Sequence, residues 1–478
     1  MIKNNYINGE WTPGDEGCRE NVNPSNTNEV IGLYARSSVA LVDEAVSAAL
    51  RAYPAWSRTS PQLRADLLES TAAVILSRSA ALGELLAREE GKTLKEATAE
   101  VVRAAQIFRF FSGEALRMAG VRQPSTRSGV VVNTHREAVG VVGLITPWNF
   151  PIAIPAWKAA PALAFGNTVV LKPADLTPAS AHALTAILDE VGFPPGVFNL
   201  VMGPGSTVGD AISRHPDVNA VTFTGSEQVG IQVATICAAR LAKVQLELGG
   251  KNPLVVLADA DLDNAVDVAI QGAFYSTGQR CTASSRLIVE APIYEEFVDR
   301  MFKRMDALIV GDALAPTTQI GPVVDQKQLE SNSMYLNIAR STPGSTVYGG
   351  ELLDRENPGF FLSPAMILGA SNSDRTSREE IFGPVTSVIR ANDYDEAVAF
   401  ANETEYGLVA GICTTSLARA EDFQSRAQTG MVMVNVPTAG VDPHVAFGGR
   451  KRSSYGPHEQ GTSAQEFFTE TKTAYIRP

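Results

Sequence analysis

Val139-Gly140-Val141-Val142-Gly143-Leu144-Ile145-Thr146-Pro147-Trp148-Asn149-Phe150-Pro151 divides the chain into two textures. Before it, apolar residues recur at helical spacing. After it, short apolar runs alternate with amphipathic segments. Residues 139–146 read as a strand stopped by Pro147. Thr168 to Leu171, Phe198 to Val201 and Ala220 to Thr224 repeat that run, and Pro178 to Val191, closed by Gly192, reads as one of the helices between them. Short apolar strands separated by helices of roughly 10–15 residues predict an α/β fold, a parallel sheet with helices on its faces. A second α/β unit opens at Asn252-Pro253-Leu254-Val255-Val256-Leu257 and continues past Asn435.

Upstream, Tyr6-Ile7-Asn8-Gly9-Glu10-Trp11 predicts a hairpin turning at Asn8-Gly9, and Asn23-Pro24-Ser25 a turn. Val42, Ala45, Val46 and Ala49 place a helix over 39–56. Ser60-Pro61 starts another, predicted to run unbroken to about Glu90 and to end at a left-handed Gly91. A third covers roughly 95–118. Val131 to Glu137 reads as an exposed strand, and Glu466 to Ile476 as a terminal one.

The 478 residues allow roughly three domains. Forty basic against 52 acidic residues leave a net charge of −12, which disfavours a nucleic-acid surface. Cys18, Cys237, Cys281 and Cys413 are scattered, with no C-x-x-C and no Cys/His spacing suited to zinc. No metal is therefore expected, and a reducing, cytoplasmic location is. Met1 to Tyr6 carries no signal-peptide pattern. The most apolar window, 139–171, is interrupted by four prolines, Asn149 and Lys158, so a buried core segment is expected rather than a membrane span.

Two turns carry reactive groups. In Gly278-Gln279-Arg280-Cys281-Thr282-Ala283-Ser284-Ser285-Arg286-Leu287-Ile288-Val289 a thiol precedes an apolar strand. In Gln245-Leu246-Glu247-Leu248-Gly249-Gly250-Lys251-Asn252-Pro253 a carboxylate precedes a Gly-Gly turn. Alone, Cys281 reads as a small buried hydrophobe and Glu247 as a solvated turn residue. Together they suit covalent catalysis followed by general-base hydrolysis. Asn149, between Pro147 and Pro151, is either an oxyanion donor or a turn residue bonding its own loop. Lys172 and Asp175 follow a strand, where α/β ligands bind, or else form a solvated loop. Phe223-Thr224-Gly225-Ser226-Glu227-Gln228-Val229-Gly230 is neither G-x-G-x-x-G nor a P-loop. It can still place a pyrophosphate at a helix N-terminus, with Ser226 as donor, Gly225 allowing close approach and Gly230 close packing. Glu380 and Phe382 in Glu379-Glu380-Ile381-Phe382-Gly383-Pro384 read alone as a loop with a buried ring.

P-W-N-F-P, F-T-G-S-x-x-x-G, E-L-G-G-K-N-P, G-Q-R-C-T and E-E-I-F-G-P, in that order from 146 onward, resemble the aldehyde dehydrogenase superfamily through nearly the whole chain. The resemblance implies a Rossmann-like coenzyme domain over 1–120 and 138–247, a catalytic α/β domain over 248–446, and a small β oligomerisation segment over 121–137 and 465–478. It implies Cys281 as nucleophile, Asn149 as oxyanion donor and Glu247 as hydrolytic base. Thr146, Pro147, Trp148, Lys172, Asp175, Gly225, Ser226, Gly230, Glu380 and Phe382 would hold NAD or NADP. Asp175 leans the expectation to NAD, because a free carboxylate repels a 2′-phosphate. A homodimer or homotetramer and a small aldehyde substrate are implied as well.

The loop 435–447, with Arg450, Lys451 and residues 454–461 after it, resembles the branch of the family that oxidises α-ketoglutarate semialdehyde. Phe150, Trp157, Thr282 and His444 are the accompanying substrate-side residues. Arg280 is either the cation for a distal carboxylate or a structural ion pair. Oxidation of succinate semialdehyde or of a broad range of aldehydes is the alternative, although family members that use succinate semialdehyde carry Arg where this chain has Trp157. An acylating dehydrogenase that hands its thioester to CoA lacks the hydrolytic Glu, and a non-catalytic structural member tolerates loss of the catalytic trio; this chain keeps Cys281, Glu247 and Asn149.

Overall fold

The computed structural model describes residues 1–478. Eight strands form the first sheet. Its parallel centre runs Lys243–Glu247, Ala220–Thr224, Val141–Ile145, Thr168–Lys172, Phe198–Leu200 across the sheet. Antiparallel strands close both edges: Ser454–Tyr455 beside Lys243–Glu247, and the Asn5–Ile7 and Glu10–Thr12 hairpin beside Phe198–Leu200. The chain builds outward from Val141–Ile145 in one direction, then returns to lay Ala220–Thr224 on its other side. The connections reverse between those two strands, and such a switch leaves a crevice at their carboxyl ends. The central strands are buried on both faces, which explains their uninterrupted apolar runs.

A second, seven-stranded sheet runs Thr346–Gly349, Ala365–Leu368, Val385–Ala391, Ser284–Glu290, Asn252–Val256, Val409–Cys413, Met431–Val434; only its first pair is antiparallel. A third, antiparallel sheet joins Val121–Pro124 and Val131–Ala138 to the C-terminal strand Thr469–Ile476.

Local signals account for many elements. Asn8 and Gly9 have φ of 54° and 83°, the paired left-handed geometry of a two-residue hairpin turn. Ser60 Oγ accepts from Leu63 N at 3.2 Å and opens Pro61–Ser77. The expected single helix to Glu90 is instead two, broken at Arg78 without a Gly or Pro to announce it. Gly91 does end the second in the left-handed region. The 95–118 segment is helical over Leu94–Ala115. Strands Cys18–Asn23 and Asn26–Ala35 flank the predicted 23–25 turn and were not expected. The terminal segment begins as a short helix, Ala464–Phe468, because Phe467 and Phe468 turn into the core. The apolar window resolves into the strand Val141–Ile145, the helix Ala153–Ala164, buried along its whole length with Lys158 included, and most of the strand Thr168–Lys172. No helix is long and apolar enough to cross a membrane.

Candidate active site

Cys281 lies between a helix and a strand. Asp261 caps Leu262–Phe274 by accepting from Asn264 N at 3.2 Å. That helix runs into Ser276, Thr277 and Gly278, at φ of 51°, 56° and 64°. Left-handed Ser and Thr are costly, and such backbone collects at functional sites. A Cβ at Gly278 would collide with the Gly383 carbonyl, so the close approach requires glycine. The strand Ser284–Glu290 then anchors the far side. Asn252 Nδ2 donates to the Cys281 carbonyl at 2.7 Å and to that of Ala283 at 2.9 Å, which holds the turn rigid.

Asn149 comes to the same turn from the other sheet, donating from Nδ2 to the Gln279 carbonyl at 3.0 Å. Behind it, buried Lys92 donates to the Asn149 carbonyl at 2.6 Å and to Glu100 Oε2 at 2.7 Å. Glu100 Oε1 accepts from the backbone N–H groups of Ile152 and Ala153 at 3.2 and 3.1 Å. The Lys92 ammonium also stands 3.9 Å above the Phe150 ring. Lys92 and Glu100 thus position the Asn149 loop.

Glu247 ends the strand Lys243–Glu247 and is buried, accepting from Ser454 Oγ at 2.7 Å. Burial, then the charge of Glu459, pushes its carboxyl well above the usual range; Ser454 and Lys158 oppose that rise. Glu459 is itself buried, paired with Lys158 and accepting from Thr222 Oγ1 at 3.1 Å. Its Oε2 has no partner. The Cys281 thiol is pushed up to about 12, by burial first and then by the charges of Glu247 and Glu380. Burial, with the carboxylates of Glu247, Glu380 and Glu459 within electrostatic reach, disfavours the thiolate. Lys158 and Glu459 went unassigned in the sequence, although a lone lysine in the most apolar window was a signal for such a pair.

The sheet switch point bears the marks of a ligand site. Thr146 and Thr224 follow or end the two strands that flank it, and both hydroxyls are buried without a partner. Ser226 opens Glu227–Ala239 without a side-chain cap, so its hydroxyl and the first-turn N–H groups are free for an anion. A Cβ at Gly225 would fall 2.6 Å from the Phe223 ring, and one at Gly230 2.5 Å from Leu248. Trp148 meets Phe382 edge-on, ring centroids 5.3 Å apart, so this contact spans the two sheets. Phe382 is held at φ 58°, and Pro147 is half-buried beside Trp148. Glu380 Oε1 accepts from Gly250 N at 2.9 Å, and burial raises its carboxyl to about 7. Lys172 is buried, which lowers its ammonium to about 8, with Asp175 opposing. Asp175 is not the free anion expected. Its Oδ2 accepts from Arg19 Nη1 at 2.8 Å and from Arg36 Nη2 at 2.6 Å.

On the substrate side, the Trp157 ring lies 5.4 Å from that of Phe447, in a small cluster against which Cys281 packs. The buried Thr282 accepts, through its carbonyl, from Thr438 Oγ1 at 2.6 Å. Arg280 is tied to Glu96 at 3.1 Å and to Ser276 Oγ at 2.8 Å, the structural ion pair of the two readings. His444 is exposed, and no side-chain contact brings it to the thiol.

A sequence model of the aldehyde dehydrogenase family matches residues 11–474. The chain is 42% identical to the α-ketoglutaric semialdehyde dehydrogenase of Bacillus subtilis (strain 168), over 99% of this chain and 98% of that one. It is 41% identical to the α-ketoglutarate semialdehyde dehydrogenase of Haloferax volcanii, over 98% of each. Among solved structures, betaine aldehyde dehydrogenase from Staphylococcus aureus in complex with NAD+ superposes with a TM-score of 0.97 at 32% identity, covering 99% of this chain and 95% of that one. The fold is that of an aldehyde-oxidising oxidoreductase, and the chain belongs to the aldehyde dehydrogenase family.

Proposed function

We propose that the protein oxidises α-ketoglutarate semialdehyde to α-ketoglutarate, with a nicotinamide dinucleotide seated at the switch point of the first sheet. The observation that carries the substrate is full-length identity of 38–42% to three relatives named for it. The unpartnered Thr146 and Thr224 hydroxyls and the uncapped Ser226 support the coenzyme seat. Residues 1–120 and 138–247 make the coenzyme domain, and 248–446 the catalytic domain. Residues 121–137 and 465–478 are the surface through which the chain forms a homodimer or homotetramer. Exposed Val121, Tyr475 and Ile476 on that three-stranded sheet, with both its edges unpaired, support this last assignment.

In this reading Cys281 gives up its proton to solvent water as its sulfur attacks the aldehyde carbon. The resulting oxyanion is met by the Asn149 amide and the Cys281 N–H. A nicotinamide held beside Trp148, Glu380 and Phe382 would supply the two-electron acceptor for the oxidation of the thiohemiacetal to a thioester. Glu247 draws a proton from water as that water attacks the thioester, releasing the acid and the thiol. The proton leaves Glu247 toward the Glu459 carboxylate, whose charge acts on it.

A substrate with a distal carboxylate needs a cation, and Arg280 is already spent on Glu96. Arg103, which forms no ion pair, is the remaining candidate. It stands one turn beyond Glu100 and donates to Gln460 Oε1 at 3.2 Å. Gln460 is fully buried, and its Nε2 has no acceptor. A guanidinium and an unpaired amide N–H beside Glu459 suit a carboxylate. Steady-state kinetics over a panel of ω-carboxy and neutral aldehydes test the substrate. A preference for neutral aldehydes of equal length overturns the acid-semialdehyde reading and leaves the family assignment standing.

A further inference from the structure

We propose that His458 carries the proton of the hydrolytic step from the buried carboxylates out to solvent. The inference rests on Glu247 as the hydrolytic base and goes beyond it by naming the outlet. Each turnover of that base leaves a proton in a closed place. Glu247 is 3% exposed. The side chains of Lys158 and Glu459 are 1% and 2% exposed. A proton handed from Glu247 to Glu459 is therefore still inside the protein, and the next turnover waits for it to leave.

Gly448 brings an imidazole to the base. A Cβ there would lie 2.5 Å from His458 Cδ2, 2.9 Å from its Cγ and 3.1 Å from Glu247 Oε1. The ring edge and the carboxylate thus share the face of one glycine, close enough for a single water to bridge them. A side chain at 448 would wedge between the two. Main-chain bonds fix the arrangement: Phe447 N donates to the Glu459 carbonyl and Glu459 N to the Phe447 carbonyl, both at 2.7 Å. The two oxygens of Glu247 have different surroundings. Oε2 accepts from Ser454 Oγ. Oε1, on the His458 side, receives no donor from the chain.

His458 is half-buried, and neither of its ring nitrogens is bonded within the chain or sealed from solvent. An imidazole takes a proton on one nitrogen and releases one from the other, as an outlet between a carboxyl and bulk water requires. The charged groups of this corner come from three elements. Glu247 ends the strand Lys243–Glu247, Glu459 follows His458 in the chain, and Lys158 reaches Glu459 from the helix Ala153–Ala164. In the step itself, the O–H bond of the protonated carboxyl breaks as a water passes the proton to one imidazole nitrogen. The imidazolium then gives up a proton to bulk water from the other. The carboxylate and the neutral ring are both restored.

Hydrolysis can be read without aldehyde or coenzyme, because 4-nitrophenyl acetate acylates a thiol by displacing nitrophenolate. The first turnover reports acylation and the later ones hydrolysis. His458→Gln and His458→Ala should keep the first turnover of the wild type and slow the later ones by about tenfold or more. Added imidazole should restore the later turnovers of His458→Ala in a saturable way. It should do little for the wild type, or for His458→Gln, whose side chain fills the space. A His458→Gln variant that hydrolyses as fast as the wild type in dilute buffer would overturn the proposal. So would a loss in His458→Ala that imidazole does not relieve, since that marks a side chain that only packs the turn. Glu247→Gln separates this inference from the reading beneath it. If that variant hydrolyses its acetyl-enzyme at the wild-type rate, Glu247 is not the base, and the outlet falls with it.

Discussion

The Lys92 ammonium donates 2.6 Å to the main-chain carbonyl of Asn149, while the Asn149 amide donates 3.0 Å to the carbonyl of Gln279, two residues before the thiol. A buried cation thus holds from behind the group that faces the reacting centre. Lys92→Met should leave Glu100 as an uncompensated buried charge and cost about 3–5 kcal/mol of stability. Adding Glu100→Gln should recover part of it. Chemical denaturation reads both, and an unchanged midpoint in the single variant would contradict the account.

Thiol chemistry separates exposure from function. Cys18 is exposed, Cys281 half-buried, and Cys237 and Cys413 buried. An alkylating reagent should modify Cys18 and Cys281 and spare the other two. Only modification of Cys281 should track loss of aldehyde oxidation, and Cys18→Ser should remove the silent adduct. Peptide mapping against residual activity checks this. Cys281→Ala should abolish oxidation while dinucleotide binding persists.

Glu247 must be ionised to accept a proton from water. Its folded value is raised by burial and by Glu459. The hydrolytic rate therefore rises with pH through that raised value, and whatever removes the Glu459 charge moves the rise to lower pH. Glu459→Gln should shift the acid limb of kcat downward, whereas Lys158→Met, which removes an opposing cation, should shift it upward. Two variants shifting in the same direction would sink this assignment. Glu247→Gln should give a single burst of reduced coenzyme and then stall.

Arg103 and Arg280 should part company. Arg103→Ala should cost about 2–5 kcal/mol in kcat/KM for α-ketoglutarate semialdehyde and much less for a neutral aldehyde of the same length. Arg280→Ala should lower both alike, together with stability, because it strands Glu96. Matching losses across both substrates for Arg103→Ala would return it to a structural role.

What could be read in the sequence was local. Helix 39–56 and strand Ala220–Thr224 carry their own apolar patterns, and the structure places them as expected. The Cys281, Glu247 and Asn149 motifs are contiguous, and their order along the chain, not any one of them alone, pointed to a shared site. What escaped depends on partners far along the chain. Asn26–Ala35 is polar at its start and becomes a strand by pairing with Cys18–Asn23. The fate of Arg280 is decided by Glu96, and that of Asp175 by Arg19, 156 residues away. No spacing rule within either loop could reveal those bonds.

The antiparallel edge formed by Ser454–Tyr455 on Lys243–Glu247 also orders events in time. Chains are made from the N-terminus, and their domains fold as they emerge. The thiol at 281 leaves the ribosome long before Ser454, which bonds Glu247, and Glu459, which sets its charge. Until the last stretch docks, the carboxylate has neither its hydroxyl partner nor its neighbour. A half-made chain therefore displays its nucleophile without the machinery to turn it over, and competence arrives only with the completed molecule.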